Sequence, residues 1–172
     1  EKPILRPAYQ GSNPVSDIWS LQAMRMVSHY LIRAVEDPND GEARAMMALA
    51  ASFAGVGFGN AGVTLPHGMS YPVSGMVKNY RAEGYPKDHP MVPHGMAVVL
   101  NAPAAFRFTA PACPERHLQA AEALGADVSR ARLQDAGRIV ADQIITFMKR
   151  LHIPNGLRAV GYTKDDIPKL VD

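Results

Sequence analysis

Two histidines in the sequence carry the strongest chemical signal. His67 lies in Leu65-Pro66-His67-Gly68-Met69 and His94 in Val92-Pro93-His94-Gly95-Met96, so one Pro-His-Gly-Met string occurs twice. Each falls at or near an expected helix start. A ring at such a place can point into a cleft, and the glycine after it lets another group approach closely. Two imidazoles supply half of a tetrahedral site, or a third of an octahedral one, for zinc or iron. The competing reading makes them helix-start histidines that bond to backbone. Spacing alone leaves both readings open.

The other candidates are plainer. No His-Glu-x-x-His occurs, and no Asp is followed four residues later by His. The lone Cys113, between Ala112 and Pro114, reads as a small packing residue rather than a nucleophile, and it excludes both a disulfide framework and a Cys-based zinc site. No Gly-x-Ser-x-Gly elbow is present, and Ser70 has no evident base. His29, His117 and His152 look like ordinary surface or helix-end groups, and His89 sits in a polar loop near His94. Gly57-Phe58-Gly59-Asn60-Ala61-Gly62 fits G-x-G-x-x-G, with Glu83 further on. A dinucleotide fingerprint needs a strand before it and an uninterrupted helix after it. Here an Ala/Met-rich helix precedes and two prolines follow, so the glycines are read as close backbone packing or a helix break.

The elements that must position the histidines are helices. Residues 16–36 carry Ile18, Leu21, Met24, Val27, Leu31 and Ala34 on one stripe, with Ser16 as the expected cap. Asp40 caps a second helix through Phe53, apolar nearly all round and so expected to be central and buried. A segment over 62–79 should kink at Pro66 and Pro72. Residues 80–92 read as a loop. A helix follows from His94 to Phe106, with Pro93 in its first turn. Helices are also expected over 114–124, over 129–151 with Leu133 on its apolar face, and after Thr163. Strand-like alternation is absent. The expected fold is all-α, with about seven helices.

The sequence has 172 residues, 47% hydrophobic and 20% charged, the composition of one globular domain. Its net charge is +2, and no basic block appears, which argues against a nucleic-acid partner. No stretch reaches the length of a membrane span, so no membrane role is expected. The start, Glu1-Lys2-Pro3, has neither an initiator Met nor a signal-peptide pattern, so the chain reads as processed or cut from something longer.

Taken together, these segments are not anonymous. Ala54 to Gly62, Pro66-His67-Gly68-Met69-Ser70-Tyr71-Pro72 and Pro93-His94-Gly95 resemble the iron-containing (group III) alcohol dehydrogenases. Asn13-Pro14-Val15-Ser16-Asp17-Ile18-Trp19, Pro114-Glu115-Arg116-His117-Leu118 and Val160-Gly161-Tyr162 are most similar to its hydroxyacid–oxoacid transhydrogenase branch. The resemblance covers nearly the whole chain.

It implies the following. Residues 1–172 would be the C-terminal all-α metal-binding domain, of the dehydroquinate synthase-like type, short at both ends. An NAD(P)-binding α/β domain would lie outside the chain. His67 and His94 would be two ligands of Fe2+ or Zn2+, with an Asp and a third His upstream. Phe58 would lie close to the nicotinamide. Tyr71 stands where many members have a second histidine, and its ordinary pKa near 10 makes it a poorer proton relay at neutral pH. The parent would be an NAD(P)-linked oxidoreductase acting on an alcohol, hydroxyacid or oxoacid, a homo-oligomer, and cytoplasmic or mitochondrial. The isolated chain would be inactive. The rival reading is a helical interaction module without chemistry.

Overall fold

A computed structural model describes residues 10–171; the Glu1-Lys2-Pro3 start and Asp172 lie outside the described residues. Seven α-helices are found among them and no strand: α1 Pro14–Glu36, α2 Gly41–Ala61, α3 Leu65–Gly75, α4 His94–Thr109, α5 Pro114–Ala123, α6 Ala136–Arg150 and α7 Ile167–Val171. The expected all-α fold is what the chain adopts.

Helix α1 starts two residues earlier than expected. Its cap is Asn13, whose side-chain oxygen accepts from the amides of Val15 and Ser16, each at 3.1 Å. Ser16 is instead buried, and its hydroxyl accepts from Asn13 Nδ2 at 2.9 Å. An Asn at the cap satisfies two orphan amides at once and leaves Pro14 at the first helical position.

Helices α1 and α2 pack side by side. Trp19 meets Phe53 edge-on at 4.9 Å between centroids, and a Cβ on Gly57 would fall 2.1 Å from Ser20 Oγ. Close packing is thus the role of that glycine, and α2 runs through the glycine-rich stretch instead of breaking in it. Two expectations fail here. Helix α2 is not central: its buried positions are the small residues Ala43, Ala50 and Gly57, and Leu49 and Val56 stay exposed. The apolar stripe of α1 is displaced as well, since Ile18 is 67% exposed while Ser16, Ala23, Met26 and Ile32 are buried. In each helix the partner covers one narrow seam, and hydrophobicity elsewhere on the surface decides nothing.

At Gly62, whose φ is 88°, the chain turns by 108° from α2 into α3. With ψ at 177°, this backbone conformation is one that only glycine adopts readily. The break expected at the prolines therefore falls before them: Pro66 occupies the first turn of α3 and Pro72 is carried inside it. Pro93 likewise stands just before α4.

The core lies among α3, α4, α6 and the 157–162 segment: Val73, Val92, Ala97, Leu100, Met148, Val160 and Tyr162 are all buried. The Tyr162 hydroxyl donates to the Val73 carbonyl at 2.8 Å and fastens the C-terminal segment to α3. Residues 129–132 are not helical. Asp127 Oδ1 captures the Ser129 amide at 2.9 Å, a local bond that competes with a helical turn. One 3-10 turn, Leu133–Asp135, then leads into α6, and Leu133 is exposed. Past α6, His152 adopts a left-handed conformation (φ 55°) that stops the helix. Thr163 caps the last segment through Asp166, which accepts from its amide at 2.7 Å.

Candidate functional site

The two Pro-His-Gly-Met strings come together. His67 is the third residue of α3 and His94 the first of α4. Their ring centroids are 5.4 Å apart, with an interplanar angle of 56°. Nitrogens each about 2.0–2.1 Å from a shared metal cannot be more than about 4.2 Å apart. A centroid separation of 5.4 Å is compatible with that limit.

Local chemistry explains the placement. Proline before each histidine suits a helix start, where an amide would have no acceptor. On α3, His67, Ser70 and Ser74 share one face by helical spacing. Ser70 is buried and its hydroxyl donates to the His67 carbonyl at 2.7 Å. The Ser74 hydroxyl donates at 3.2 Å to the carbonyl of Val92, two residues before His94. Sequence reasoning gave Ser70 no role and passed over Ser74. Their recurrence behind a histidine at helical spacing was the available signal.

Neither imidazole bonds to backbone through its ring among the described residues, so the helix-start alternative has no geometric support. His67 is half-buried, and its pKa lies below the ordinary 6.5, first through burial and then through repulsion from His94. The shift favours the neutral imidazole, the form that can donate a lone pair to a metal. His94 is exposed.

Tyr71 lies one turn after His67, its ring 6.0 Å from that of His94 and tilted by 31°. It is 63% exposed. Phe58, 53% exposed near the end of α2, takes part in neither of the ring contacts that join His94 to His67 and Tyr71. Among the described residues no group of three His, Cys, Asp or Glu could hold a metal, so His67 and His94 stand as a pair. As a donor set, two imidazoles suit iron(II) or zinc and leave most of the shell to other groups.

The remaining candidates stay apart from this pair. His89 is exposed and pairs with its neighbour Asp88 at 2.9 Å. Cys113 is exposed, not packed as expected: it precedes α5, where Pro114 opens the helix, and its main-chain carbonyl accepts from His117 Nδ1 at 3.0 Å. His117 is accordingly not a plain surface group, and its Nε2 lies 2.9 Å from the Thr109 hydroxyl. The G-x-G-x-x-G segment is helical as far as Ala61, with no strand before it.

Residues 8–172 match the family described as Fe-containing alcohol dehydrogenase family, C-terminal. The chain is 62% identical over 169 residues to the mitochondrial hydroxyacid-oxoacid transhydrogenase of Xenopus tropicalis, covering 98% of this chain and 36% of that protein. The protein of the same name from Homo sapiens shows the same identity and coverage. This chain thus spans about a third of these relatives. Among solved structures, a 1,3-propanediol oxidoreductase superposes with a TM-score of 0.80 at 28% identity, over 92% of this chain and 38% of that one. Matched along almost its whole length, with its paired histidines drawn together, the chain belongs to the Fe-containing alcohol dehydrogenase family, as an example of the family's C-terminal part.

Proposed function

We propose that this chain is the metal-holding helical part of an NAD(P)-linked oxidoreductase that moves hydride between a hydroxyacid and an oxoacid. The observation that carries the reading is the convergence of His67 and His94 at 5.4 Å. The names of the relatives support the substrate class. An interaction module without chemistry gives no reason for two distant histidines to meet with their rings unbonded to backbone.

When bound, Fe2+ or Zn2+ supplies Lewis acidity toward a substrate oxygen, and NAD(P) carries the hydride. The chain's own residues do the rest. His67 and His94 are the two residues of this chain that would hold the metal. Tyr71 offers a hydroxyl beside His94 that can accept or pass a proton. Phe58, Val56, Val63, Leu65 and Met69 are exposed apolar side chains on α2, α3 and the turn between them, and would exclude water where another domain covers them. The remaining ligands and the nucleotide-binding domain belong to the part of the parent outside this chain, and the isolated chain is inactive. The mitochondrial relatives favour a mitochondrial parent over a cytoplasmic one. The parent is a homo-oligomer.

The test uses the full-length polypeptide that carries this chain. Hydride exchange between hydroxyacid and oxoacid is measured for the wild type, H67A and H94A. Each variant should lose about 1,000-fold or more in kcat/KM, together with bound metal. Variants that stay within about fivefold would sink the reading.

A further inference from the structure

The stretches of sequence around the two histidines carry no charged side chain. From Ala45 to Val77, and again from Met91 to Phe106, the sequence holds no Asp, Glu, Lys or Arg. These stretches include most of α2, all of α3 and most of α4. A hydroxyacid and an oxoacid both bear a carboxylate, and a desolvated carboxylate needs a cation or several donors. The connection between α3 and α4 is where this chain offers one.

That connection holds Lys78, Arg81 and Lys87. Lys78 is paired with Asp166 at 2.6 Å. Neither Arg81 nor Lys87 meets a carboxylate among the described residues. Lys87 Nζ donates to the carbonyl of Ala82 at 2.6 Å and so braces the loop from within. Arg81 Nη1 donates to the Lys87 carbonyl at 2.5 Å, which leaves Nε and Nη2, one bidentate edge of the guanidinium, free.

The loop is also held in place. Arg81 and Met91 form an isolated bridge, and the Met91 amide donates to the Tyr80 carbonyl at 2.8 Å. Ala82 and Val92 are buried, and Ser74 ties Val92 to α3. Met91 precedes His94 by three residues, a path of at most about 11 Å. Its bridge partner lies about 5 Å to the side. An exposed arginine is thus anchored to the stretch of chain that leads into His94.

We propose that Arg81 is the residue that recognises the carboxylate of acid substrates at the His67/His94 site. This rests on the oxidoreductase reading above. The substrate oxygen that reacts sits at the histidines, and the carboxylate is received by the free edge of the guanidinium. Uncharged alcohols gain nothing from that contact.

The full-length polypeptide is assayed with 2-, 3- and 4-hydroxybutanoate and with 1- and 2-butanol, as wild type, R81M, R81K and K87M. R81M should raise KM for the preferred hydroxybutanoate by about 10–100-fold, the size of a charge-assisted pair of hydrogen bonds. Its effect on the butanols should be at least about tenfold smaller. R81K should recover only part of the loss, because charge returns without the fork. K87M should change KM less than R81M does. Unfolding midpoints within about 2 °C of wild type show that R81M is folded. Equal losses on acids and alcohols, an unchanged KM, or a larger effect in K87M overturns the assignment. A wild type inactive on every hydroxybutanoate and butanol overturns the oxidoreductase reading itself and takes Arg81 with it. An active wild type with an indifferent R81M removes Arg81 alone.

Discussion

Ser74 on α3 donates its hydroxyl to the carbonyl of Val92, at 3.2 Å, and so fixes the strand of chain that delivers His94. His67 lies on the same helix as Ser74. One hydrogen bond therefore links the supports of both imidazoles.

Removing that link should loosen the pair without removing a ligand. In S74A the Val92 carbonyl, in a buried residue, loses its partner, at a cost of about 1 kcal/mol. Zinc binding to the chain, followed by calorimetry, should weaken by about 10-fold, the usual effect of losing a group that orients ligands. Wild-type binding should itself be weak, because two imidazoles leave half of a tetrahedral shell to water. Tight stoichiometric binding by the chain alone, or dehydrogenase turnover by it, would contradict the proposed division of the site.

The pH response of His67 follows from its surroundings. Burial and the nearby His94 lower its pKa from 6.5. The folded protein then binds fewer protons than the unfolded chain just below pH 6.5, so stability at this group is full above that value and falls as pH drops through it. Proton NMR should place the His67 midpoint below 6.5, and H94A should move it upward but not to the full ordinary value. A His67 midpoint at or above 6.5 in the wild type would contradict this account.

A packed and an unpacked helical glycine should respond with opposite signs. A Cβ on Gly137 of α6 would lie 2.9 Å from Ala110 Cβ and 3.0 Å from Arg107 Cα. Backbone cannot step aside cheaply, so G137A should cost about 1–3 kcal/mol in denaturant unfolding. Gly59 of α2 has nothing within 4 Å of its Cβ position. G59A should stabilise by up to about 1 kcal/mol through helix propensity.

Acid should release the C-terminal segment at Asp166. The Lys78 ammonium, followed by the Thr163 amide, holds that carboxyl at about 2 instead of 3.8. Its contribution to stability is present above 3.8 and is lost as pH falls toward 2. Carbon-detected NMR of Asp166 should show the low midpoint, and K78M should raise it and shift the loss to higher pH.

Local grammar in the sequence was legible where one residue decides. Asp40 at the start of α2 and Thr163 near the end act as read, and both histidines fall at helix starts as their strings suggest. Two kinds of feature were not legible. Competition between caps is one: Asn13 outbids Ser16 because its amide both accepts from the helix and donates to that serine. Which face of an apolar helix is covered is the other. Ile18 and Leu49 are as hydrophobic as core residues, yet α1 and α2 meet through Ala50, Gly57 and Ser20, whose smallness lets the backbones close. The histidine pair stood out because a repeated string is visible without any geometry. Ser74 did not, since its partner is a carbonyl that has no letter in the sequence.

The bond from Tyr162 to Val73 spans 89 residues. During synthesis, at about 5–20 residues per second, the helix bearing His67 therefore waits roughly 4–18 s before its clamp has even been translated. Over that interval Ser74 can already tie the segment before His94 to α3, while the fastening of α3 to the C-terminal segment must wait for Tyr162.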